Sequence, residues 1–278
     1  TFVFNPKNSK DKRTSKKNTA ENKNQPANKN KVTMEVLDGD GNIIRTVKHN
    51  VEAGLNRIYW NLRRKGVRSP NMPKPTKPDS REPAGPQVLP GEYTVRLSHG
   101  DISTEQIINV ISDPRVAINK RNIERLQPIY DRQMKIISSV TKAMDQIREA
   151  KSIISSVNKM LDVKSNDTHK TLQKEGKAIA DSLKLLEELI VNQRGLQGIV
   201  RSPDILSAKI RAINRYLSSN LSGPNSSHEF LLNYSEIETD KVLKKINTFF
   251  KDSWGEYQSK VEDANLSFFK TYKPIKIN

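Results

Sequence analysis

The sequence predicts an all-β plus all-α two-domain chain: an antiparallel β-sandwich over about 32–115, then an antiparallel helical bundle over about 118–278. Three observations carry this. Apolar residues alternate with polar ones in short runs between Val32 and Leu97. Glycine- and proline-centred turns separate the runs. After Asp113-Pro114-Arg115 the apolar period changes to about 3.6.

The strands come first. Val32, Met34 and Val36 share one face, as do Ile58, Trp60 and Leu62, and Tyr93, Val95 and Leu97. One apolar face at period two is what a half-buried strand needs. Asp38-Gly39-Asp40-Gly41-Asn42 holds residue types that tolerate positive φ, so it reads as a hairpin turn. Pro90-Gly91 marks the entry to the Tyr93 strand in the same way. Between Arg63 and Gln87 lie Pro70, Pro73, Pro75, Pro78, Pro83 and Pro86, which exclude a central strand. This stretch reads as a stiff surface crossover with a basic start at Arg63, Arg64, Lys65 and Arg68.

The helices follow. Ile123, Leu126, Tyr130, Ile137, Val140, Met144, Ile147, Ile154, Val157 and Leu161 predict one long amphipathic helix over about 119–162. A turn at Lys164-Ser165-Asn166 leads to Asp167 as an N-cap. Leu172, Ile179, Leu183, Leu186 and Ile190 place a second helix over about 168–193, stopped by Gly195 and Gly198. Ser202-Pro203 opens a third over about 204–221, and Gly223-Pro224 breaks the chain again. The last helix, about 227–269, buries Ile246, Phe250, Trp254, Tyr257, Val261, Ala264 and Phe268. The two short helices laid end to end match a long one, so a three-layer packing is expected.

These motifs have a family counterpart. The order is Asp38-x-x-Gly41-x-x-x-Arg45-Thr46, then Ala53-Gly54-Leu55-Asn56-Arg57-x-x-Trp60-Asn61-Leu62, then the Pro-rich loop. Pro90-Gly91-x-Tyr93-Thr94-Val95-x-Leu97 and Asp113-Pro114-Arg115 complete it. The series resembles the FlgD-like immunoglobulin domain. More closely, it resembles that domain near the C-terminus of bacterial sortilin-like BNR-repeat propeller proteins, often labelled glycosyl hydrolases. The resemblance is specific over 32–115 and looser over the helical region that follows. It implies an immunoglobulin-like β-sandwich followed by a helical bundle. The propeller is absent, and at most Phe2-Val3-Phe4-Asn5-Pro6 matches its trailing edge. Any glycosidase activity would belong to the propeller and is not carried over.

Charge is uneven. The chain has 278 residues and a net charge of +17. Residues 1–31 hold nine Lys/Arg against Asp11 and Glu21, while the sandwich is close to neutral. Residues 1–31 therefore read as a basic Lys/Asn-rich arm or linker, too poor in apolar side chains to offset its ordering entropy. As a linker it is merely solvated. As an arm, Lys10, Lys12, Arg13, Lys16 and Lys17 would attach to an acidic surface or partner. The absence of cysteine excludes disulfides, a Cys nucleophile and thiolate metal sites. No apolar run approaches the ~20 residues that span a membrane. No signal peptide opens the chain, and Thr1 is not an initiator, which suggests a piece of a longer product. Five Asn-x-Ser/Thr sequons are what an Asn- and Ser-rich chain contains by chance.

Catalytic signatures are missing. There is no HExxH, G-x-S-x-G, Walker-type or G-x-G-x-x-G pattern. His49, His99, His169 and His228 sit in or beside turns without i, i+4 pairing. Asp38 and Asp40 fit a turn better than a calcium loop, which would need a later bidentate Glu. Glu187-Glu188 and Glu262-Asp263 are neighbours on helices and point apart, whereas acid–base pairs must face one cleft. Trp60, Tyr93, Trp254 and Tyr257 lie in apolar stripes and read as core. No catalytic, cofactor or metal residues are therefore expected. The expectation is a non-catalytic accessory module of a secreted or cell-surface bacterial protein, mediating protein–protein assembly in a larger cell-surface or outer-membrane complex. The alternatives are a polyanion or nucleic-acid binder, and the C-terminal part of a sortilin-like glycosyl hydrolase whose catalytic propeller is missing. The aromatics lie away from the basic clusters, which counts against nucleic acid.

Overall fold

A computed structural model describes residues 2–4, 31–77, 80–115, 119–161, 167–192, 204–218 and 223–264. The chain divides into two compact units. One comprises Thr1–Val67 and Pro75–Lys120, the other Arg68–Lys74 and Arg121–Asn278.

The first unit is an antiparallel sheet region. Its strands are β1 (Phe2–Phe4), β2 (Lys31–Leu37), β3 (Ile43–Asn50), β4 (Gly54–Asn56), β5 (Arg63–Lys65), β6 (Ala84–Gln87), β7 (Gly91–His99) and β8 (Ile102–Val110). Four of them form one sheet in the order β3-β2-β7-β8, while β1 pairs with β4 and β5 with β6. The Asp38–Asn42 hairpin forms with Gly41 at φ 80, a value that glycine adopts without a Cβ penalty. Val32, Met34 and Val36 are buried on one face of β2. A register shift after Val36 brings Leu37 opposite Ile43 and lets Leu37 and Ile44 bury as well. Tyr93, Val95 and Leu97 pack onto that face from β7, and Ile58 and Trp60 from the chain beyond β4.

One strand expectation changes. Residues 58–62 form no ladder: among the described residues, 57–61 keep the alternation of burial without a backbone hydrogen bond, and the Leu62 carbonyl accepts from the Val88 amide at 2.9 Å. Leu62 sits at φ 54, turns outward and ends the shared face of Ile58 and Trp60. Trp60 is half-buried, packed edge-on against Tyr93 at 5.6 Å between ring centroids. β8 has no legible apolar face, because it is the sheet edge and most of it is exposed.

The second unit is helical: α1 (Lys120–Glu124), α2 (Gln127–Leu161), α3 (Asp167–Ile190), α4 (Leu206–Ser218), α5 (Ser226–Lys251) and α6 (Ser253–Asp263). The predicted helix over 119–162 is broken between α1 and α2. Pro128 has no N–H to give to the preceding turn, so α2 starts with it in the first turn. The predicted last helix is divided at Asp252, which leaves helical geometry at ψ −82. Asp167 lies inside the first turn of α3 instead of capping it. Gly195, Gly198, Ser202-Pro203, the turn at 164–166 and Phe268 lie outside the described residues.

One apolar cluster joins five of these helices, from Leu126, Val140, Met144 and Ile147 of α2 and its approach to Leu183, Ile210, Leu232, Ile246 and Tyr257. α3 and α4 run against α2: Lys151 pairs with Glu187, Gln133 donates to the Ile210 carbonyl, and Tyr130 donates to that of Leu217 at 3.1 Å. α5 and α6 run with α2. Arg132 holds Glu229 and Glu236 at 2.9 Å each, and Val261 packs with Val157 and Leu161 at the far end. Residues 68–74, in the middle of the Pro-rich stretch, lie along α2. Arg68 pairs with Asp145, Thr141 donates to the Arg68 carbonyl at 2.6 Å, and Arg148 donates to the Pro70 and Met72 carbonyls.

Candidate partner-binding surface

Lys10, Lys12, Arg13, Lys16 and Lys17 lie outside the described residues. The structure does place the two ends of the segment that carries them. Phe4 pairs with Gly54, and Lys31 opens β2 opposite Asn50. The basic stretch thus lies in the chain between β1 and β2. Phe2-Val3-Phe4 forms strand β1 of the sheet unit, paired with β4.

The Arg45-Thr46 pair of the sequence motif has a clear structural use. Arg45 is only 2% exposed. Its guanidinium donates to the carbonyls of Pro83 (2.6 Å) and Glu82 (3.0 Å). The Thr46 amide donates to the Glu82 carboxylate at 2.9 Å, and Lys65 pairs with that carboxylate at 3.0 Å. The returning limb of the Pro-rich stretch is therefore clamped to β3. The limb is held close: a Cβ on Gly66 would lie 2.4 Å from the Ala84 carbonyl oxygen, and one on Gly85 2.6 Å from that of Lys65.

Three of the carboxylates weighed in the sequence, Asp38, Glu187 and Glu262, have local partners. The Asp38 carboxylate accepts from the amides of Asp40 (3.1 Å) and Asn42 (2.8 Å), so it closes its own turn. Glu187 pairs with Lys151, and Glu262 accepts from Gln258 at 2.7 Å. Glu238 is held down to about 2 by the ammonium groups of Lys209 and Lys241, at 2.6 and 2.8 Å. Burial pushes the His228 imidazole below its usual value and the Tyr93 hydroxyl above its own. His228 lies in the first turn of α5, where its Nδ1 accepts from the Asn225 amide and its own amide donates to the Asn225 side chain. Among the described residues no three His, Asp or Glu side chains converge as a metal set.

A second feature went unread in the sequence. Among the described residues, no backbone group pairs with the backbone of Arg57–Asn61. Yet exposure alternates strictly there: Ile58 and Trp60 turn toward the core, and Arg57, Tyr59 and Asn61 face outward, Tyr59 at 76%. The stretch has the side-chain arrangement of a strand without its ladder. The period-two run of Ile58 and Trp60 was the available signal, but a sequence does not show which strands lack neighbours.

No family model, no curated protein and no solved structure matches this chain.

Proposed function

We propose that this chain is a non-catalytic accessory module of a secreted or cell-surface bacterial protein that mediates protein–protein assembly. The reading rests on one observation above others. A segment rich in Lys and Asn, carrying Lys10, Lys12, Arg13, Lys16 and Lys17, is tied at both ends into one sheet unit by β1 and β2. A cationic segment anchored at both ends adds charge-based attachment to a folded platform. In this reading the sheet unit is an immunoglobulin-like sandwich and the helical unit an antiparallel three-layer bundle. Tyr93 supports the first part: its hydroxyl donates to the Leu89 carbonyl four residues upstream at 2.7 Å, the bond of the tyrosine corner in Greek-key sandwiches. The opposed senses of α2 against α3 and α4 support the second. The resemblance to the FlgD-like region of sortilin-like propeller proteins fits the same picture and supplies the secreted or outer-membrane setting. No helix among the described residues is long and apolar enough to cross a membrane, so attachment by this part would be peripheral.

A polyanion or nucleic-acid binder is the second reading, favoured by the net charge of +17. Sedimentation with envelope fractions of the producing bacterium separates the two. The accessory-module reading predicts co-sedimentation that protease treatment of the envelopes abolishes. Co-sedimentation that survives protease, with equal retention on heparin or DNA, supports the polyanion reading. No co-sedimentation contradicts the proposal. The purified chain should also turn over no glycoside, and turnover abolished by one Asp or Glu substitution would assign it to the hydrolases.

A further inference from the structure

Helix α5 carries two apolar stripes where a bundle helix needs one. The inner stripe, with Leu232 and Ile246, belongs to the core. The outer stripe is Phe230, Tyr234 and Ile237, at positions i, i+4 and i+7, and it faces solvent: Phe230 is 69% and Ile237 56% exposed. Residues at this spacing share a helix face. The Lys209 ammonium of α4 lies 5.7 Å from the centre of the Tyr234 ring and holds that ring on the stripe. One turn on, the same face changes character: Lys241, Lys244 and Lys245 follow Ile237, and all three are exposed. The neighbouring α4 contributes Lys209, Arg211 and Arg215 and no acid. We infer that this outer face of α5, from Phe230 to Lys245, is a docking site for an amphipathic helix of a partner protein, apolar over one part and acidic over the next. This rests on the reading of the chain as an interaction module and names its contact.

The chemistry of the face specifies the occupant. Single exposed apolar side chains are ordinary on a protein surface, but three in register on one helix form a contiguous stripe, the mark of an interaction surface. A helix laid along it matches with apolar residues at intervals of three and four, as in helix-in-groove recognition. Charge sets the rest. The Glu238 carboxylate is shared by Lys209 and Lys241, and Asp240 pairs with Lys244. With Lys245, the lysine end holds four cations against these two acids. That surplus calls for acidic residues on the occupant beyond its apolar turns. From Phe230 to Lys245 the face is about 22 Å long, so an occupant of about four turns spans it. An anionic bilayer fits less well. The flank toward α2 carries Glu229 and Glu236, both held by Arg132, and a flat anionic surface would press on these acids. A helix covers the ridge alone and leaves that flank in solvent.

The probe is a capped, fluorescent, alanine-based helical peptide with leucines at intervals of three and four in one half and glutamates on the same face of the other half. Its control carries lysine in place of each glutamate. The readout is fluorescence anisotropy on titration with the full chain. The docking face predicts saturable binding of the glutamate peptide, at least about tenfold tighter than that of the lysine peptide, because like charges across an interface repel. Phe230→Ser with Ile237→Ser should weaken that binding at least about tenfold at an unchanged thermal midpoint, since both side chains are exposed and act as the apolar anchors. If that variant unfolds, Lys241→Gln with Lys244→Gln and Lys245→Gln decides: it should abolish the preference between the two peptides. No saturable binding, equal binding of both peptides, or binding untouched by both variants overturns the inference. Vesicles of phosphatidylcholine and phosphatidylglycerol form the other arm. Retention on them that Phe230→Ser with Ile237→Ser abolishes, without peptide binding, would make the face a lipid contact and reject the partner helix. None of these measurements uses the basic segment or the envelope. A chain that co-sediments with envelopes but binds no peptide loses only the docking face, and the reverse result loses only the attachment.

Discussion

Arg45 and Thr46 sit on adjacent positions of β3 and grip one limb of the Pro-rich stretch, Arg45 through the Glu82 and Pro83 carbonyls and Thr46 through the Glu82 carboxylate. A buried guanidinium with carbonyl partners cannot be replaced by an ammonium, which lacks the planar fork. Arg45→Met should therefore lower the stability of the sheet unit by about 2–4 kcal/mol, the range for breaking a buried hydrogen-bonded charge. Urea unfolding followed by Trp60 fluorescence, in a Trp254→Phe background, reads this as a lower midpoint. His228 gives a pH signature. Its imidazole is depressed by burial below the ordinary value of 6.5, and its Nδ1 must be unprotonated to accept from Asn225. The unfolded chain then binds more protons than the folded one between the two values, so stability rises with pH across that window. The contribution of His228 is present above about pH 6.5 and is lost as pH falls through the lower folded value. His228→Gln retains a side chain suited to the capping position and should flatten the slope of thermal midpoint against pH below about 6.5. An unchanged slope would show that His228 carries none of it.

At the scale of elements, the helices show what periodicity reveals and conceals. The apolar stripe of α2 was legible from Ile137 to Leu161, because residues three and four apart share a helix face. The break before Gln127 was written in Pro128, but the stripe runs through Leu126 and Tyr130 on both sides and hides it. Close packing between helices left fainter traces. Gly176 of α3 faces Tyr257 of α6, and a Cβ there would lie 2.7 Å from the Tyr257 hydroxyl and 3.2 Å from Asn158. Gly176→Ala gains about 1 kcal/mol of helix propensity but drives a methyl group into that hydroxyl. The net expected effect is a loss of about 1–2 kcal/mol, as for other overpacked sites. Tyr257→Phe removes the nearest atom, so Gly176→Ala should be less harmful in that background. Equal losses in the two backgrounds, measured by chemical denaturation, would place the strain elsewhere. In the sheet unit, β8 escaped the reading for the opposite reason: an edge strand exposed along most of its length has no need of an apolar face.

Over the whole molecule, the switch from period two to period 3.6 near Asp113-Pro114-Arg115 separated strands from helices correctly in the described residues. Composition could not show that residues 68–74 lie on α2 with the helical unit, since the contacts that hold them there, Arg68–Asp145 and Arg148 with the Pro70 carbonyl, join residues more than seventy positions apart. Nor could it show that the strands on both sides of the basic segment belong to the sheet unit, because the pairing of Phe2–Phe4 with Gly54–Asn56 is also long-range. That pairing changes how the central claim must be tested: removing everything before Lys31 would delete β1 along with the charge. The direct measurement is a binding titration to envelope fractions at two ionic strengths, comparing the intact chain with one carrying Gln at Lys10, Lys12, Arg13, Lys16 and Lys17. Exposed charges are screened beyond about 8 Å at physiological ionic strength, so attachment through them weakens as salt rises. The account predicts weaker binding and a flatter salt dependence for the substituted chain. Equal affinities and equal salt slopes would contradict it and leave the basic segment as a linker.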